Sequence, residues 1–146
     1  MKKVLFSVVL VFAVLVTLAG GSFAADVTPV KLSLIPQVGI PAAQIVHGLD
    51  LGIIASVVDE VQGVQLTWIY GGVNKKMVGL QASLIDIAGD VEGVQYGFYN
   101  DAKNMKGIQL GFVNVAGNLK GIQLGLVNII KKGSVLPVMV IANANF

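Results

Sequence analysis

Apolar and polar residues alternate along this chain in short bursts separated by glycine and charge. Ile108, Leu110 and Phe112 fall on one face of an extended segment, and Gly107, Gln109 and Gly111 on the other. A period of two, rich in β-branched and aromatic residues, predicts strand. A helix would carry glycines every four residues, each costing about 1 kcal/mol. Six such segments align: Gly48–Ile54, Gly63–Ile69, Gly79–Ile85, Gly93–Tyr99, Gly107–Val113 and Gly121–Val127. Their starts are 15, 16, 14, 14 and 14 residues apart, and the last three end on Asn100, Asn114 and Asn128. This period holds one long strand and a turn, or two short strands and two corners. It is too short for a helical repeat of about 34–47 residues. Charged residues gather between the segments, at Asp59-Glu60, Lys75-Lys76, Asp90 to Glu92, Asp101 to Lys106 and Lys131-Lys132. With Gly89-Asp90 and Gly117-Asn118 they predict turns. Val30–Val38 and Pro137–Phe146 alternate as well, which brings the expected count to eight strands.

Two all-β architectures satisfy this pattern. The leading expectation is an antiparallel up-and-down β-barrel of eight strands in the outer membrane. Such strands run about 9–11 residues with apolar residues outward and polar ones inward. Leu51, Ile53, Leu66, Trp68, Tyr96, Phe98, Leu110, Phe112, Leu124 and Leu126 would then face lipid, and Gln65, Gln81, Gln95, Gln109 and Gln123 the lumen. An eight-stranded lumen is filled by side chains, which argues against a pore. The alternative is a β-solenoid with one coil per unit, whose recurring Gln and Asn bond along the stack. It explains why every unit is alike and why the alternation slips at Leu84-Ile85, Phe98-Tyr99, Phe112-Val113 and Leu126-Val127, where a corner fits. In that alternative, Leu110 is expected in a dry core and Gln109 on the wet surface.

Charge and composition alter the picture at the N-terminus. Met1-Lys2-Lys3, an apolar run from Val4 to Ala19, and small residues at Ser22 and Ala24 form the layout of a signal peptide. Residues 1–24 are expected to be removed after Ala24, leaving residues 25–146 as a single β-repeat domain. That domain has eight Lys and eight Asp or Glu, a balance of 8 − 8 = 0, so the basic pI comes from Lys2 and Lys3. No nucleic-acid partner is expected from such a balance. The chain has no Cys, which excludes disulfides, thiolate metal sites and a Cys nucleophile.

The repeat Gly-[Ile/Leu/Val]-Gln-[Leu/Tyr]-Gly-[Phe/Leu]-[Val/Tyr]-Asn resembles the short glycine-rich repeats of a bacterial surface-repeat protein family, described from spirochaetes and other envelope-bearing bacteria. Lys31–Pro36 and the stretch from Gly133 through Pro137 to Phe146 also resemble that family's ends. The resemblance covers nearly all of residues 25–146. The earlier units depart from it, with Asp50 in place of Gln and Thr67 or Ser83 in place of the second Gly. The resemblance implies an outer-membrane or cell-surface location and carries over no activity, ligand or site residue.

Candidate chemistry is sparse. His47 is the single histidine, near Asp50 and Ser56, and a hydrolytic triad would need the three in hydrogen-bonding reach. No nucleophile-elbow motif accompanies them, so His47 is expected to be an ordinary residue at a strand start. One His and no Cys argue against a zinc site. Asp86, Asp90, Glu92 and Asp101 would approach a calcium ion only if stacked turns brought them together. Trp68, Tyr70, Tyr96 and Tyr99 are expected as membrane-girdle or core aromatics rather than as a sugar platform. No enzyme activity and no cofactor are expected. The expected role is structural or interactive in the cell envelope, with membrane lipid as the partner. The alternative is a secreted or periplasmic solenoid that binds a polymer, lipid or protein.

Overall fold

A computed structural model describes residues 26–146, and the predicted signal peptide and its cleavage point lie outside the described residues. The described chain is built from strands: β1 Val27–Ile35, β2 Val38–Ile40, β3 Ile45–Gly52, β4 Ala55–Thr67, β5 Tyr70–Ala82, β6 Ile85–Ile130 and β7 Val138–Asn145. β1 pairs in parallel with β3, β3 with β4, β4 with β5, and β5 with β6. Each step advances one repeat, so Gly63 lies against Gly79 and Gly79 against Gly93. The 46 residues of β6 continue the same winding, with bonds between residues 14 apart. The fold is a β-solenoid of about five turns.

The antiparallel barrel expected as the leading reading is therefore not formed. A barrel strand must reverse at each turn, whereas here the chain keeps its sense and returns to the same side after each 14-residue coil. The predicted slip after the sixth residue of each unit marks a corner. Leu126 and Val127 both face outward there, and Asn128 re-enters the interior. The expected count of eight separate strands gives way to continuous winding, because the sheet passes through these corners without interruption. The flanking segments do form strands, but as lids. β2 folds back antiparallel on β1, and β7 runs antiparallel to the last coil, Gly121 opposite Asn145. Terminal caps of this kind protect the open ends of a stack from edge-to-edge pairing.

Counting each coil from its leading glycine, position one is a tight corner. Gly107 has φ +132°, and a Cβ there would lie 2.0 Å from the carbonyl oxygen of Gly93. The glycines at 63, 79, 93 and 121 repeat this geometry, which is why the unit always opens on Gly.

Inside the stack, one part is apolar and the other polar. Position ten of the 14-residue coils supplies Ala88, Ala102, Ala116 and Ile130, and Val58 and Val73 stand in the same row of the longer coils before them. The residues two before each leading glycine are Val46, Val61, Met77, Val91, Met105 and Leu119, and together these twelve make the buried apolar cluster. Position three supplies the glutamines, all fully buried. The solenoid alternative is thus right in its ladders and reversed in its faces. Gln109 is buried while Leu110 is half-exposed outside, the arrangement expected of the barrel. The reversal has a physical cause. A glutamine amide has enough donors and acceptors to bond both neighbouring coils and the opposite wall, so its burial costs little.

Candidate functional site

The interior polar groups organise the outside, so they come first. Gln81 Nε2 donates to Gln65 Oε1 at 2.9 Å, Gln95 to Gln81 at 3.0 Å, Gln109 to Gln95 at 2.7 Å and Gln123 to Gln109 at 2.7 Å. The second amide hydrogen reaches across the coil to a backbone carbonyl, as from Gln109 to Val115 at 3.0 Å. The ladder ends where Gln65 Nε2 donates to Asp50 Oδ2 at 2.8 Å. Asp50 departs from the repeat because the first rung needs an acceptor and no donor. Its carboxylate also accepts from Ser56 Oγ at 2.8 Å.

A second ladder runs at position eight with its donors pointing the opposite way. Asn100 Nδ2 donates to Asn114 Oδ1, and Asn114 Nδ2 to Asn128 Oδ1, both at 2.8 Å. Its members need room. A Cβ on Gly111 would lie 2.5 Å from Asn100 Nδ2, and one on Gly125 would lie 2.5 Å from Asn114 Nδ2. Where this row holds Gly71, which pairs with Asp86, or Asp86 itself, position five enlarges to Thr67 or Ser83. The departures of the early units are thus compensations of volume and hydrogen bonding.

Asp86 is the acid of this second ladder and is fully buried. Burial pushes its carboxyl up from 3.8 to about 7, against the opposing hydrogen bond from Ser83. Its Oδ2 and the Oδ1 of Asn100 are both buried without a hydrogen-bond partner. Both lie 3.0 Å from the point that a Cβ on Gly97 would occupy.

The candidate catalytic residues do not assemble. Asp50 and Ser56 meet, but in a closed interior, while His47 is exposed on the outside of its strand. Lys31 is buried nearby and donates to the Ala43 carbonyl at 2.6 Å. Burial lowers its pKa, with Asp50 acting in the opposite sense. The four acids considered for calcium diverge. Asp86 is inside, Asp90 accepts from Asn104, Glu92 faces Lys106 at 3.2 Å, and Asp101 accepts from Tyr99 Oη. Among the described residues no group of three or more His, Cys, Asp or Glu is placed to hold a metal ion.

What the coil does display is an apolar flank. Positions two, four and six of the five coils that begin at Gly63, Gly79, Gly93, Gly107 and Gly121 carry fifteen residues, all apolar or aromatic. Position six stands at the corner and is more than half exposed in all five coils. Trp68 is 81% exposed, Leu84 55%, Phe98 55%, Phe112 52% and Leu126 58%. The rings of Phe98 and Phe112 stack with centroids 4.7 Å apart. A shallow groove beside Trp68 is walled by Leu32, Leu51, Ile53 and Leu66.

The charges of these coils stand from position eight to fourteen. Lys75 meets Asp59 at 2.9 Å, which raises the lysine pKa and lowers that of the aspartate. Such exposed pairs contribute little stability. They make the exterior two-sided, with one flank apolar and the others polar. This flank was legible as the outward face of the expected barrel. The interior acid and its unpaired neighbour were not, because nothing in a linear reading shows which rung lacks a donor. Comparison with known protein families, characterised proteins and solved structures gives no match.

Proposed function

We propose that this chain is an exported β-solenoid binding module of the cell envelope, secreted or periplasmic, that acts by docking through its apolar flank. The observation that carries the reading is the run of fifteen uncharged outward positions over five coils. Water-exposed apolar surface of this extent marks an interaction site. Closure of the Asp50–Ser56 pair and the outward position of His47 favour binding over catalysis. The signal-peptide layout of residues 1–24 and the resemblance to bacterial surface repeats support an envelope location.

Fractionation of cells that make the full chain tests this reading. The protein is expected outside the cytoplasm, with an N-terminus at Ala25. Full-length chain recovered from the cytoplasm overturns it.

A further inference from the structure

We propose that the C-terminal lid is a dimerisation edge, at which β7 pairs antiparallel with β7 of a second copy about a two-fold axis. The inference is independent of what docks on the apolar flank. β7 covers the last coil and thereby becomes the edge of the sheet itself, since the strand order places it outermost. A sheet edge is a row of backbone donors and acceptors that another strand can satisfy, and proteins blunt such edges with charge, proline or shortness. The opposite edge of this sheet is blunted in two of these ways. β2 has three residues and stands between Pro36 and Pro41. β7 has eight residues. The stretch from Gly133 to Phe146 holds no charged residue, and its one proline, Pro137, precedes the strand.

The side chains of the lid lead to the same partner. Seven large apolar side chains among the described residues are exposed by 60% or more, and five belong to this lid: Val135, Val138, Val140, Ile141 and Phe146. Ile141 is also held at φ +71°, a costly conformation for a β-branched residue. It is 74% exposed, so burial within the single chain does not account for an isoleucine there. Contact with a second copy does. An eight-residue edge is about 27 Å long. With the side chains along it, the end of the stack offers on the order of 600–800 Å², the range in which stable dimers begin.

The bend in the strand selects a second copy over other strands. β7 follows the last coil round its corner, so that Val140 and Ile141 are both exposed where the pairing skips Leu126 and Val127. This bend falls at the middle of Val138–Asn145. A copy turned end for end by a two-fold axis through the bend therefore bends at the same place, and the two strands run together over their whole length. A straight strand of another protein parts from the edge at the corner. A head-to-tail contact needs β2, which is short and bordered by proline. The pairing thus closes at two copies. The product is a stack twice as long, with a β2 lid at each end.

Sedimentation equilibrium of the full chain, as cells export and process it, tests the proposal. A mass twice that of the chain is expected at micromolar concentration. Val140→Lys sets like charges against each other across the axis and should weaken association by at least about tenfold. Ile141→Gly should weaken it likewise without lowering the urea midpoint of the dilute monomer, because glycine accepts a positive φ. The chain has no cysteine, so one introduced thiol reports its own neighbour. Ile141→Cys should cross-link two copies under mild oxidation, since facing Cα atoms about 4.5–5.5 Å apart suit a disulfide. Leu84→Cys, on the apolar flank, should not.

A monomer at these concentrations overturns the proposal, as does a dimer that both edge variants leave intact in folded protein. Cross-linking of the Leu84→Cys variant in place of the Ile141→Cys variant also overturns it, because the contact then lies on the flank. Oligomers that lengthen with concentration do the same, since they need a head-to-tail contact. Each of these outcomes leaves the binding-module reading to its own test by fractionation.

Discussion

Asp86 shows how closely a single residue is bound to the register of this fold. At the next two rungs an amide hydrogen passes from Asn100 to Asn114 and from Asn114 to Asn128. At the Asp86 rung two acceptors, Asp86 Oδ2 and Asn100 Oδ1, are left without a donor. A proton on Asp86 Oδ2 would supply the donor that this rung lacks, and the carboxyl raised to about 7 by burial holds that proton below neutrality. The folded carboxyl titrates higher than the ordinary value of 3.8, so this contribution to stability is fully present below about pH 4. It is lost as pH rises through about 7. The loss can reach about 4 kcal/mol, since a tenfold change in proton affinity corresponds to about 1.4 kcal/mol. Asp86→Asn supplies a permanent donor. Urea titrations of the wild type are expected to show a midpoint that falls from mildly acidic to mildly alkaline pH. The asparagine variant should be less dependent on pH and the more stable of the two in alkali. A wild-type midpoint that rises over this range contradicts the assignment.

At the scale of the coil, the repeat unit is a list of local requirements, and much of it was legible. Period-two alternation showed strands, and the paired outward residues after position six showed where they turn. The recurrence of Gln and Asn at fixed offsets announced ladders. Which side faced the core was less accessible, because polarity alone would put Gln109 outside and Leu110 inside. Only the barrel reading, which expected lipid outside, arrived at the observed sides. Hydrogen-bond satisfaction by stacking outweighs burial of Leu, and it depends on rungs 14 residues apart that no local window contains.

The opening glycine offers the sharpest test at this scale. Gly107→Ala would place a methyl 2.0 Å from the Gly93 carbonyl, at a φ of +132° that side chains rarely adopt. Backbone meets backbone there, so no side chain can give way. A loss of at least about 3 kcal/mol is expected in a urea titration, above the usual range for one substitution. Gly133→Ala is the control, with nothing within 4 Å of its added methyl and only the positive φ against it. Equal effects at both sites would show that conformation, rather than the stacked corner, explains the requirement.

The whole molecule behaves as a row of nearest neighbours between two lids. Each coil touches the one before and the one after, and stability in such arrays is close to a sum of unit and interface contributions. The unit from Gly107 to Lys120 follows one of the same length, and its Gln109 and Asn114 bond in both directions. A second copy of residues 107–120 placed before Gly121 should therefore enter the stack without altering either lid. Its glutamine would accept from Gln123 and donate to Gln109, and its asparagine would lie between Asn114 and Asn128. The longer protein is expected to fold, with a denaturant dependence steeper by roughly a tenth, in line with the added surface. Inserting only residues 107–113 has the opposite consequence. Seven residues shift the next coil by half a turn and set position ten against position three, so apolar residues face the glutamine ladder. That variant should lose cooperative unfolding. A 14-residue duplication that unfolds, or a seven-residue insertion that does not, would mean that the coils are not interchangeable units of this stack.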